Sequence, residues 1–270
     1  MQEVTIGFIG SGNMGQGIIG GLLASGYEPA KIWASDPQAE KLAELRAHFA
    51  INTSPDNQVV AQKADVLVLA VKPQAAESVL SELAAVVQTK KPLVLSIMAG
   101  IREASLSQWL GGEVAVVRCM PNTPALIGCG ATGLHANLMV NEKQKNQAES
   151  IMRSVGVTVW LEVENQLDAV TALSGSGPAY FFRIMEVMEQ TGIELGLPQA
   201  VAHLLTLQTA LGAARMALES ETSLINLRQR VTSPNGTTER ALTVLEEGGI
   251  ADLFAQALQA AKARAEELAN

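Results

Sequence analysis

A polar loop in the second half of the chain brings together several groups that could bind an anion. Residues 230–242 read RVTSPNGTTERAL and place Ser233, Asn235, Thr237 and Thr238 directly ahead of an apolar-periodic run. Hydroxyls and unpaired N–H groups at the start of a helix favour a carboxylate, and the same residue types also cap helices. The loop is therefore either a well-capped turn or a binding site.

A glycine-rich stretch near residue 10 is typical of a dinucleotide-binding turn. The segment GFIGSGNMG has Gly10, Gly12 and Gly15 in the G-x-G-x-x-G spacing between an expected strand and an expected helix. Gly10 allows a tight turn, Gly12 allows the backbone to approach a pyrophosphate, and Gly15 allows close packing of helix and strand. The pattern predicts a dinucleotide cofactor, and the alternative is a glycine-rich turn without a ligand.

An acidic residue follows the glycine loop at the end of the second expected strand. An acid in the position of Asp36 usually binds the ribose 2′-hydroxyl of NAD and repels the 2′-phosphate of NADP. Asp36 would also cap the next helix, with Pro37 as the first helical residue. The two interpretations are equally supported, and taken alone Asp36 favours NAD.

Three further loops follow expected strands, where ligands of open α/β sheets bind. Lys72 could face the cofactor or could be a solvated lysine. Asn122 and Thr123 bring neutral donors and acceptors, and the prolines beside them favour a rigid pocket wall over a plain turn. These loops are AVKP (70–73), MAG (98–100) and MPNTPA (120–125).

Few titratable residues are arranged for chemistry of their own. The three histidines lie apart in unrelated local contexts, and the acidic residues mostly fall on expected polar helix faces. We expect no metal site and no charged acid–base pair, so that any reaction depends on the cofactor. Cys119 and Cys129 are expected to be reduced structural thiols.

The elements that must position these loops change character along the chain. Up to about residue 163, short β-branched runs alternate with helical periodicity, which indicates βαβ units and a parallel sheet covered on both faces. Later residues are helical throughout. We therefore expect a Rossmann-type α/β dinucleotide-binding domain (1–163) followed by an all-helical domain (164–270). Strands are expected at 4–10, 31–36, 66–71, 93–98 and 114–120, with a short segment near residue 51.

The helical part contains one helix whose apolar face is too broad for a small isolated bundle. This helix is expected from Pro198 to Glu219, and helices from a second subunit would bury its face. The segment SGSGPAYFF (174–182) forms the junction with the α/β part, and its glycines permit close backbone approach. The broad apolar face consists of Leu204, Leu205, Leu207, Leu211 and Met216.

Composition excludes several classes of function. The chain has 270 residues, of which 48% are hydrophobic, so it can bury a substantial core. A net charge of -8 argues against nucleic-acid binding. The longest apolar runs fall far below the roughly 20 residues that span a bilayer, so we expect no membrane segment. The start, MQEVTIGFIG, lacks the basic region of a signal peptide, and a cytoplasmic protein is expected.

Together these segments resemble, in order and separation, the pyrroline-5-carboxylate reductase family over essentially the whole chain. MPNTPA, and SPNGTT ahead of an apolar helix, are far more specific to that family than the glycine fingerprint. The resemblance implies reduction of the C=N bond of L-1-pyrroline-5-carboxylate to L-proline, the last step of proline biosynthesis. It also implies helices that interlock between two subunits, and dimers that assemble further into rings.

The same resemblance implies roles for individual residues. The implied cofactor is NADP. NAD is the alternative, because family members that prefer NADP often have Ser, Thr or Arg at the position where this chain has Asp36. Asn235 stands where the family usually has the first of two glycines. The implied substrate-binding residues are Ser233, Asn235, Gly236, Thr237 and Thr238, with Thr238 near the imine nitrogen as the catalytic residue. The predicted cofactor-binding residues are Gly10, Ser11, Gly12, Asn13, Met14, Gly15, Ser35, Asp36, Asn57, Ala70, Val71, Lys72, Pro73, Ala99, Gly100, Asn122, Pro124 and Ser176.

Two other functions remain as alternatives. A β-hydroxyacid dehydrogenase shares the fingerprint and a helical second domain, but that family places a catalytic lysine on the first long helix of the second domain. Here the corresponding segment, GPAYFFRIMEVMEQ, has Arg183 and no lysine. A regulatory protein that binds the dinucleotide without turnover needs only the first domain, and it leaves MPNTPA and TSPNGTT unexplained.

Overall fold

The computed structural model describes residues 4–269, which contain eight strands and twelve α-helices. The chain divides into two compact units, Met1–Ser176 with Ala261–Asn270, and Gly177–Ala260. The strands are β1 (Ile6–Ile9), β2 (Ile32–Ser35), β3 (Asn52–Ser54), β4 (Val66–Leu69), β5 (Leu93–Ser96), β6 (Val116–Met120), β7 (Gly130–Ala136) and β8 (Gly156–Trp160). The helices are α1 (Asn13–Ala24), α2 (Ala39–Phe49), α3 (Asn57–Lys63), α4 (Ala76–Lys90), α5 (Glu103–Trp109), α6 (Glu142–Arg153), α7 (Gln166–Val170), α8 (Gly177–Glu194), α9 (Gln199–Glu219), α10 (Leu224–Arg230), α11 (Thr237–Glu247) and α12 (Ile250–Leu268).

The first unit is built on one eight-stranded sheet in the order β3-β2-β1-β4-β5-β6-β7-β8. Chain order reverses between β1 and β4, which pair in parallel. Such a reversal point is where open α/β sheets bind their ligands, outside the carboxyl ends of the strands. The predicted Rossmann-type arrangement is confirmed.

One strand pair departs from the all-parallel sheet that the sequence indicates. Strand β7 runs antiparallel to β6, with Arg118 opposite His135 and Met120 opposite Gly133. The connection between the two strands carries only a short 3₁₀ turn, Thr123–Ile127, instead of a crossover helix. A parallel return needs a crossover of a dozen or more residues, so this connection allows only an antiparallel pair. The prediction of a purely parallel sheet is wrong at β7.

Both faces of the sheet are covered by helices, as predicted. On one face, Phe8 and Val68 pack with Ile18 of α1 and Met152 of α6. On the other face, alternate strand residues such as Leu67 pack with apolar residues of α3, α4 and α5. Because neighbouring residues of a strand point to opposite faces, apolar runs such as VLVL are buried on both sides. Because these strands are packed on both faces, the loops that follow them start from a rigid sheet.

Several elements differ from the sequence expectations. Helix α2 begins at Ala39, and its N-cap residue is Gln38, so the prediction of Pro37 as the first helical residue is wrong. The sequence patterns do not predict helices α3 and α6 or strands β7 and β8. Strand β8 alternates half-buried and exposed residues, and it lies at the edge of the sheet, which explains its weak apolar signal.

The second unit consists of helices. Helices α8 and α9 pack against each other, with Ala202 of α9 buried close to Gly192. His203 and Glu189 also pair across them at 2.8 Å. The five leucine and methionine side chains of the broad apolar face of α9 are exposed in the single chain, Leu204 by 66%. A face of this size on one subunit is typical of a protein–protein contact.

Candidate functional site

The glycine loop and the AVKP loop meet at the reversal point of the sheet. They follow β1 and β4, and the N–H of Ala70 donates to the carbonyl of Ile9 at 2.8 Å. Gly10 has φ +92°, and a Cβ at this position would lie 2.8 Å from the Ala70 carbonyl oxygen. A side chain is therefore excluded at Gly10 by both backbone conformation and space. Val71, Lys72 and Pro73 continue the second loop, and Lys72 is exposed.

The start of α1 fits a pyrophosphate. Around Gly12, no heavy atom of the described residues lies within 4 Å of the place of a Cβ, so the backbone is open on that side. Gly12 is the N-cap residue of α1, and the cap has no side-chain hydrogen bond within residues 4–269. The backbone N–H groups of Asn13 and Met14 lie in the first turn of the helix, and this turn contains no acidic side chain that would repel an anion. A Cβ built on Gly15 would lie 3.3 Å from the carbonyl oxygen of Gly10. This short distance agrees with the close packing of helix and strand expected at the third glycine.

Asp36 ties the glycine loop to the end of β2. Its Oδ2 accepts the hydroxyl of Ser11 at 2.7 Å and the Ser11 N–H at 3.3 Å. Its Oδ1 accepts the N–H of Gln38 at 3.0 Å in a turn, two residues before the helix begins. Asp36 is buried, and Lys41 Nζ lies 3.9 Å from Oδ2. The structure thus replaces the helix-cap interpretation with a loop-tying role, which leaves the ribose interaction as a prediction.

The other predicted cofactor residues of the first unit occupy ends of neighbouring strands. Ser35 is buried at the end of β2 and donates its hydroxyl to the Phe8 carbonyl at 3.3 Å. Asn57 is the first residue of α3, shortly after β3. Ala99 and Gly100 follow β5, and Gly100 has φ +76°. The structure therefore brings these residues to the same edge of the sheet as the glycine loop.

The MPNTPA loop follows β6 and contacts the segment before α8. Asn122 is the N-cap residue of the 3₁₀ turn and hydrogen-bonds with Ala131 and Ser174 through its side chain. Pro124 lies within that turn and is half-buried. Ser176, also half-buried, donates its N–H to the Thr171 carbonyl at 2.8 Å. Both polar atoms of the Asn122 side chain therefore make hydrogen bonds within the protein.

A buried cluster of charges lies beside these loops and was missed by the sequence analysis. Arg118 of β6 is 5% exposed and pairs with Glu164 at 2.6 Å. Arg102 pairs with Asp168, which is 3% exposed, at 2.7 Å. The available signal was a single arginine inside the apolar run VAVVRCM, because a buried guanidinium requires a counter-charge. Asp168 is an exception to the expectation that the acidic residues mostly lie on polar helix faces.

Glu103 is the member of this cluster whose carboxyl group has a shifted pKa. Burial, and next the nearby carboxylate of Glu164, raise the pKa of Glu103 above its ordinary value, while His135 and Arg118 oppose this. The Glu103 Oε2 atom has no hydrogen-bond partner among residues 4–269, and His135 Nε2 lies 3.7 Å from it. The cluster therefore holds one carboxyl group whose pKa lies above that of an ordinary glutamate.

The polar loop of the second unit is ordered by its own backbone. Gly236 donates its N–H to the Ser233 carbonyl at 3.0 Å, and a Cβ on Gly236 would lie 2.6 Å from Ser233 Oγ. Asn235 has φ +57°, a conformation that asparagine tolerates better than most residues. This explains how Asn235 can stand where the family usually has glycine. The Asn235 N–H is used by Glu239 Oε2 at 2.7 Å.

Helix α11 begins with the two threonines of this loop. Its N-cap residue is Gly236, and within the described residues no side chain hydrogen-bonds to the cap. Neither Thr237 nor Thr238 is therefore the cap residue of the helix. Both are instead helical residues of the first turn, where backbone N–H groups have no acceptor within the helix and are suited to bind an anion.

The remaining reactive residues are dispersed. Over residues 4–269, no group of three His, Cys, Asp or Glu side chains could hold a metal ion. Cys119 is buried, which raises the pKa of its thiol. Cys129 is exposed, so the interpretation of both cysteines as structural thiols is wrong for Cys129, which follows the 3₁₀ turn at the surface. No helix of the described part of the chain is long and apolar enough to cross a membrane.

A doubly wound sheet with an open glycine loop at its reversal point, followed by an all-helical unit, defines a nicotinamide-dinucleotide-dependent oxidoreductase. Residues 5–100 match the family described as NADP oxidoreductase coenzyme F420-dependent. Residues 164–268 match the family described as pyrroline-5-carboxylate reductase dimerisation. The chain belongs to the pyrroline-5-carboxylate reductase family.

Individual relatives show the same similarity over full length. The chain is 52% identical to pyrroline-5-carboxylate reductase of Pseudomonas aeruginosa, over 100% of this chain and 98% of that protein. The solved structure of a pyrroline-5-carboxylate reductase from Coxiella burnetii has a TM-score of 0.96 and 48% identity, with full coverage of both chains. The Plasmodium falciparum pyrroline carboxylate reductase with NADP bound has a TM-score of 0.89 and 28% identity, again with full coverage of both chains. The dimerisation match explains the exposed leucines of α9, and the chain is a homo-oligomer.

Proposed function

We propose that this protein reduces L-1-pyrroline-5-carboxylate to L-proline with a reduced nicotinamide dinucleotide. The observation that carries this proposal is the full-length similarity to pyrroline-5-carboxylate reductases, which includes the helical residues 164–268. The open glycine loop at the sheet's reversal point supports the cofactor assignment. When bound, NADPH or NADH would supply the hydride that reduces the C=N carbon.

The residues of the glycine edge would hold the cofactor. The N–H groups at the start of α1 would bind the pyrophosphate, since Gly12 leaves the backbone open there. Asp36 would meet the ribose of the adenosine half, and Asn57 would lie on the same side. The loops at Ala70–Pro73 and at Ala99–Gly100 would line the dinucleotide, together with Ser11, Ser35, Pro124 and Ser176.

The polar loop would bind the substrate carboxylate. The start of α11 offers N–H groups and the positive end of the helix dipole, which contributes on the order of 0.3–1 kcal/mol for a partly exposed anion. The hydroxyls of Ser233 and Thr237 would add neutral donors. Thr238 would hydrogen-bond near the imine nitrogen, so it is the residue that we propose as catalytic.

The protein has little proton transfer to perform in this reaction. A cyclic imine can take up a proton from water before it binds, and hydride transfer to a protonated C=N bond needs no strong acid from the protein. The task of the protein is to place the imine carbon against the hydride donor and to hold the carboxylate. Neutral hydroxyls suit this task because they orient the carboxylate without a strong ion pair.

Three further features are part of the proposal. We place the domain boundary between residues 163 and 164, supported by the dimerisation match that begins at residue 164. The homo-oligomer would be a dimer, assembled further into a ring of dimers. The protein would act in the cytoplasm, as expected of an enzyme of amino-acid biosynthesis.

The decisive assay follows the absorbance of NADPH or NADH with L-1-pyrroline-5-carboxylate, and separately with a panel of β-hydroxyacids and the oxidised cofactors. We expect turnover with the imine and none with the hydroxyacids. Turnover of a hydroxyacid alone would establish the dehydrogenase alternative instead. Dinucleotide binding without turnover of either would point to the regulatory alternative.

A further inference from the structure

The side chain of Asn122 joins three separate parts of the first unit. Its Oδ1 accepts the backbone N–H of Ala131 in β7 at 2.9 Å. Its Nδ2 donates to the carbonyl of Ser174 at 3.0 Å. The backbone carbonyl of Asn122 also accepts the N–H of Ala125 at 3.0 Å. One asparagine thus ties the loop after β6, the start of β7 and the segment 171–176 together.

The Ser174 carbonyl lies in a π-helical turn shortly before Pro178. Residues Thr171–Gly175 form a π-helical turn, closed by the 2.8 Å bond from the Ser176 N–H to the Thr171 carbonyl. In an α-helix, the Ser174 carbonyl would accept the N–H of residue 178. Residue 178 is proline, which has no N–H. The amide of Asn122 supplies the missing donor.

This turn lies against the strands that border the site. A Cβ built on Gly133 of β7 would lie 3.0 Å from two methyl groups of Val170, and one on Gly175 would lie 2.7 Å from Met120 Cε. Single π-turns are frequent at functional sites. Its last neighbour, Ser176, is one of the proposed cofactor-binding residues. Ser174, to which Asn122 donates, lies two residues before Ser176 in this turn.

We propose that Asn122 is a positioning residue of the reaction, which holds the turn 171–176 at the carboxyl edge of the sheet. It acts through the Ser174 carbonyl and not as a direct ligand of the cofactor. This inference rests on the proposed function for its catalytic consequence, but the tie itself is testable without substrate.

The chain contains a matched control at the opposite end of the same strand pair. Asn137 follows β7, accepts the N–H of Val116 at 3.1 Å through Oδ1, and donates to the carbonyl of Val114 at 2.9 Å through Nδ2. Both asparagines therefore join backbone groups through one acceptor and one donor. An Asn→Asp change keeps the acceptor and removes the donor at either position.

The experiment compares Asn122→Asp with Asn137→Asp in the full-length protein. For Asn122→Asp we expect kcat with L-1-pyrroline-5-carboxylate to fall about tenfold to hundredfold, because small misplacements cost rates of this order. The Kd for NADPH should rise by no more than about threefold, since the change displaces Ser176 alone among the proposed cofactor contacts. For Asn137→Asp, kcat should stay within about twofold. Circular dichroism verifies folding, and Asn122→Ala with Asn137→Ala replaces the pair if an aspartate variant does not fold.

Two results would overturn the proposal. A rise in the Kd for NADPH that accounts for the whole loss of kcat/KM would make Asn122 a direct cofactor ligand. An equal loss of kcat in both variants would reduce its role to general stability.

Hydrogen exchange separates this inference from the proposed function. In substrate-free protein, the amides of residues 171–176 should exchange faster in Asn122→Asp than in wild type or Asn137→Asp. Unchanged exchange would refute the tie. If the wild-type protein fails to reduce the imine, the proposed function is refuted, while the exchange result still decides whether Asn122 holds the turn.

Discussion

Arg118 Nη1 donates a 2.6 Å hydrogen bond to Oε1 of Glu164, and this same oxygen accepts the N–H of Glu103 at 2.7 Å. Arg118 comes from the middle of β6, whereas Glu164 lies just before α7. One carboxylate oxygen therefore pairs with a buried guanidinium and also accepts a hydrogen bond from the first residue of α5. Replacing it leaves two donors without an acceptor.

We expect Glu164→Ala to destabilise the protein strongly. Loss of one partner of a buried ion pair costs about 3 kcal/mol or more, because the remaining charge stays buried. Urea denaturation followed by circular dichroism would measure the change in the free energy of unfolding. Glu162→Ala is the matched control, since Glu162 is exposed two residues earlier. Equal losses in both variants would show that the ion pair contributes no more than a surface charge.

The raised pKa of Glu103 predicts a pH-dependent gain in stability for Glu103→Gln. A carboxyl group with a raised folded-state pKa contributes stability below its unfolded-state pKa, and this contribution is lost as pH rises through the folded-state pKa. At neutral pH the charged Glu103 therefore opposes folding, and Glu103→Gln should have a higher Tm than wild type.

The difference in Tm should shrink toward about pH 4, near the ordinary pKa of glutamate. Thermal unfolding at several pH values between these limits provides the measurement. Glu40→Gln is the control, because Glu40 also lies in the first turn of a helix but is exposed. A lower Tm for Glu103→Gln at neutral pH would contradict the prediction.

Gly100→Ala should weaken cofactor binding. Gly100 has φ +76°, and an added Cβ would lie 3.1 Å from the backbone oxygen of Leu268. The left-handed conformation costs an L-residue roughly 1–2 kcal/mol, and the contact with Leu268 would displace the loop as well. We expect the Kd for NADPH to rise about tenfold, measured by calorimetry.

Gly26→Ala separates conformational strain from displacement of the loop. Gly26 has φ +86°, and no described heavy atom lies within 4 Å of its built Cβ. This variant should lose stability while it keeps its affinity for NADPH. If Gly100→Ala binds NADPH as tightly as Gly26→Ala does, the loop at residues 99–100 is not part of the cofactor site.

Asp36→Ser should shift the cofactor preference toward NADPH. A carboxylate at the ribose repels the 2′-phosphate of NADP. Its removal should raise the ratio of kcat/KM for NADPH to that for NADH about tenfold or more. Steady-state kinetics with both nucleotides measure this ratio. Ser11→Ala, which removes the 2.7 Å bond but keeps the carboxylate, should leave the ratio nearly unchanged, and a similar shift in both variants would assign the effect to loop geometry.

Thr238→Ala should lower kcat/KM for the imine about tenfold to hundredfold, the effect of one lost hydrogen bond to a charged group. The Kd for NADPH should change little, because Thr238 belongs to the substrate loop in the proposed mechanism. Thr243→Ala is the control on the same helix, where the hydroxyl bonds to the Glu239 carbonyl at 3.0 Å. Wild-type activity of Thr238→Ala would remove this residue from the mechanism.

Local patterns predicted the sheet and its glycine loop because each depends on neighbouring residues. Strand runs such as VLVL are apolar on both faces, and the spacing of Gly10, Gly12 and Gly15 reflects one turn. The alternation of strands and helices followed from the same signals. The antiparallel strand β7 could not be predicted from these signals, because its sequence GATGLHA contains two glycines and no continuous apolar run.

The buried charges and the role of Asn122 could not be predicted because they depend on residues far apart in the chain. Arg118 meets Glu164 across 46 positions, and Asn122 meets Ser174 across 52. Neither partner has a local signature, since glutamate and serine are common in surface loops. The proposed substrate loop was assigned through family resemblance, because its hydroxyls alone are compatible with both a helix cap and a binding site.

The contact between Gly100 and Leu268 also bears on the order in which the protein is made. Ala261–Asn270 belong to the same compact unit as Met1–Ser176. During translation, these residues leave the ribosome only after the whole helical segment 177–260 has emerged. The nascent dinucleotide-binding unit therefore waits for residues synthesised after this helical segment before its packing around the Ala99–Gly100 loop is complete.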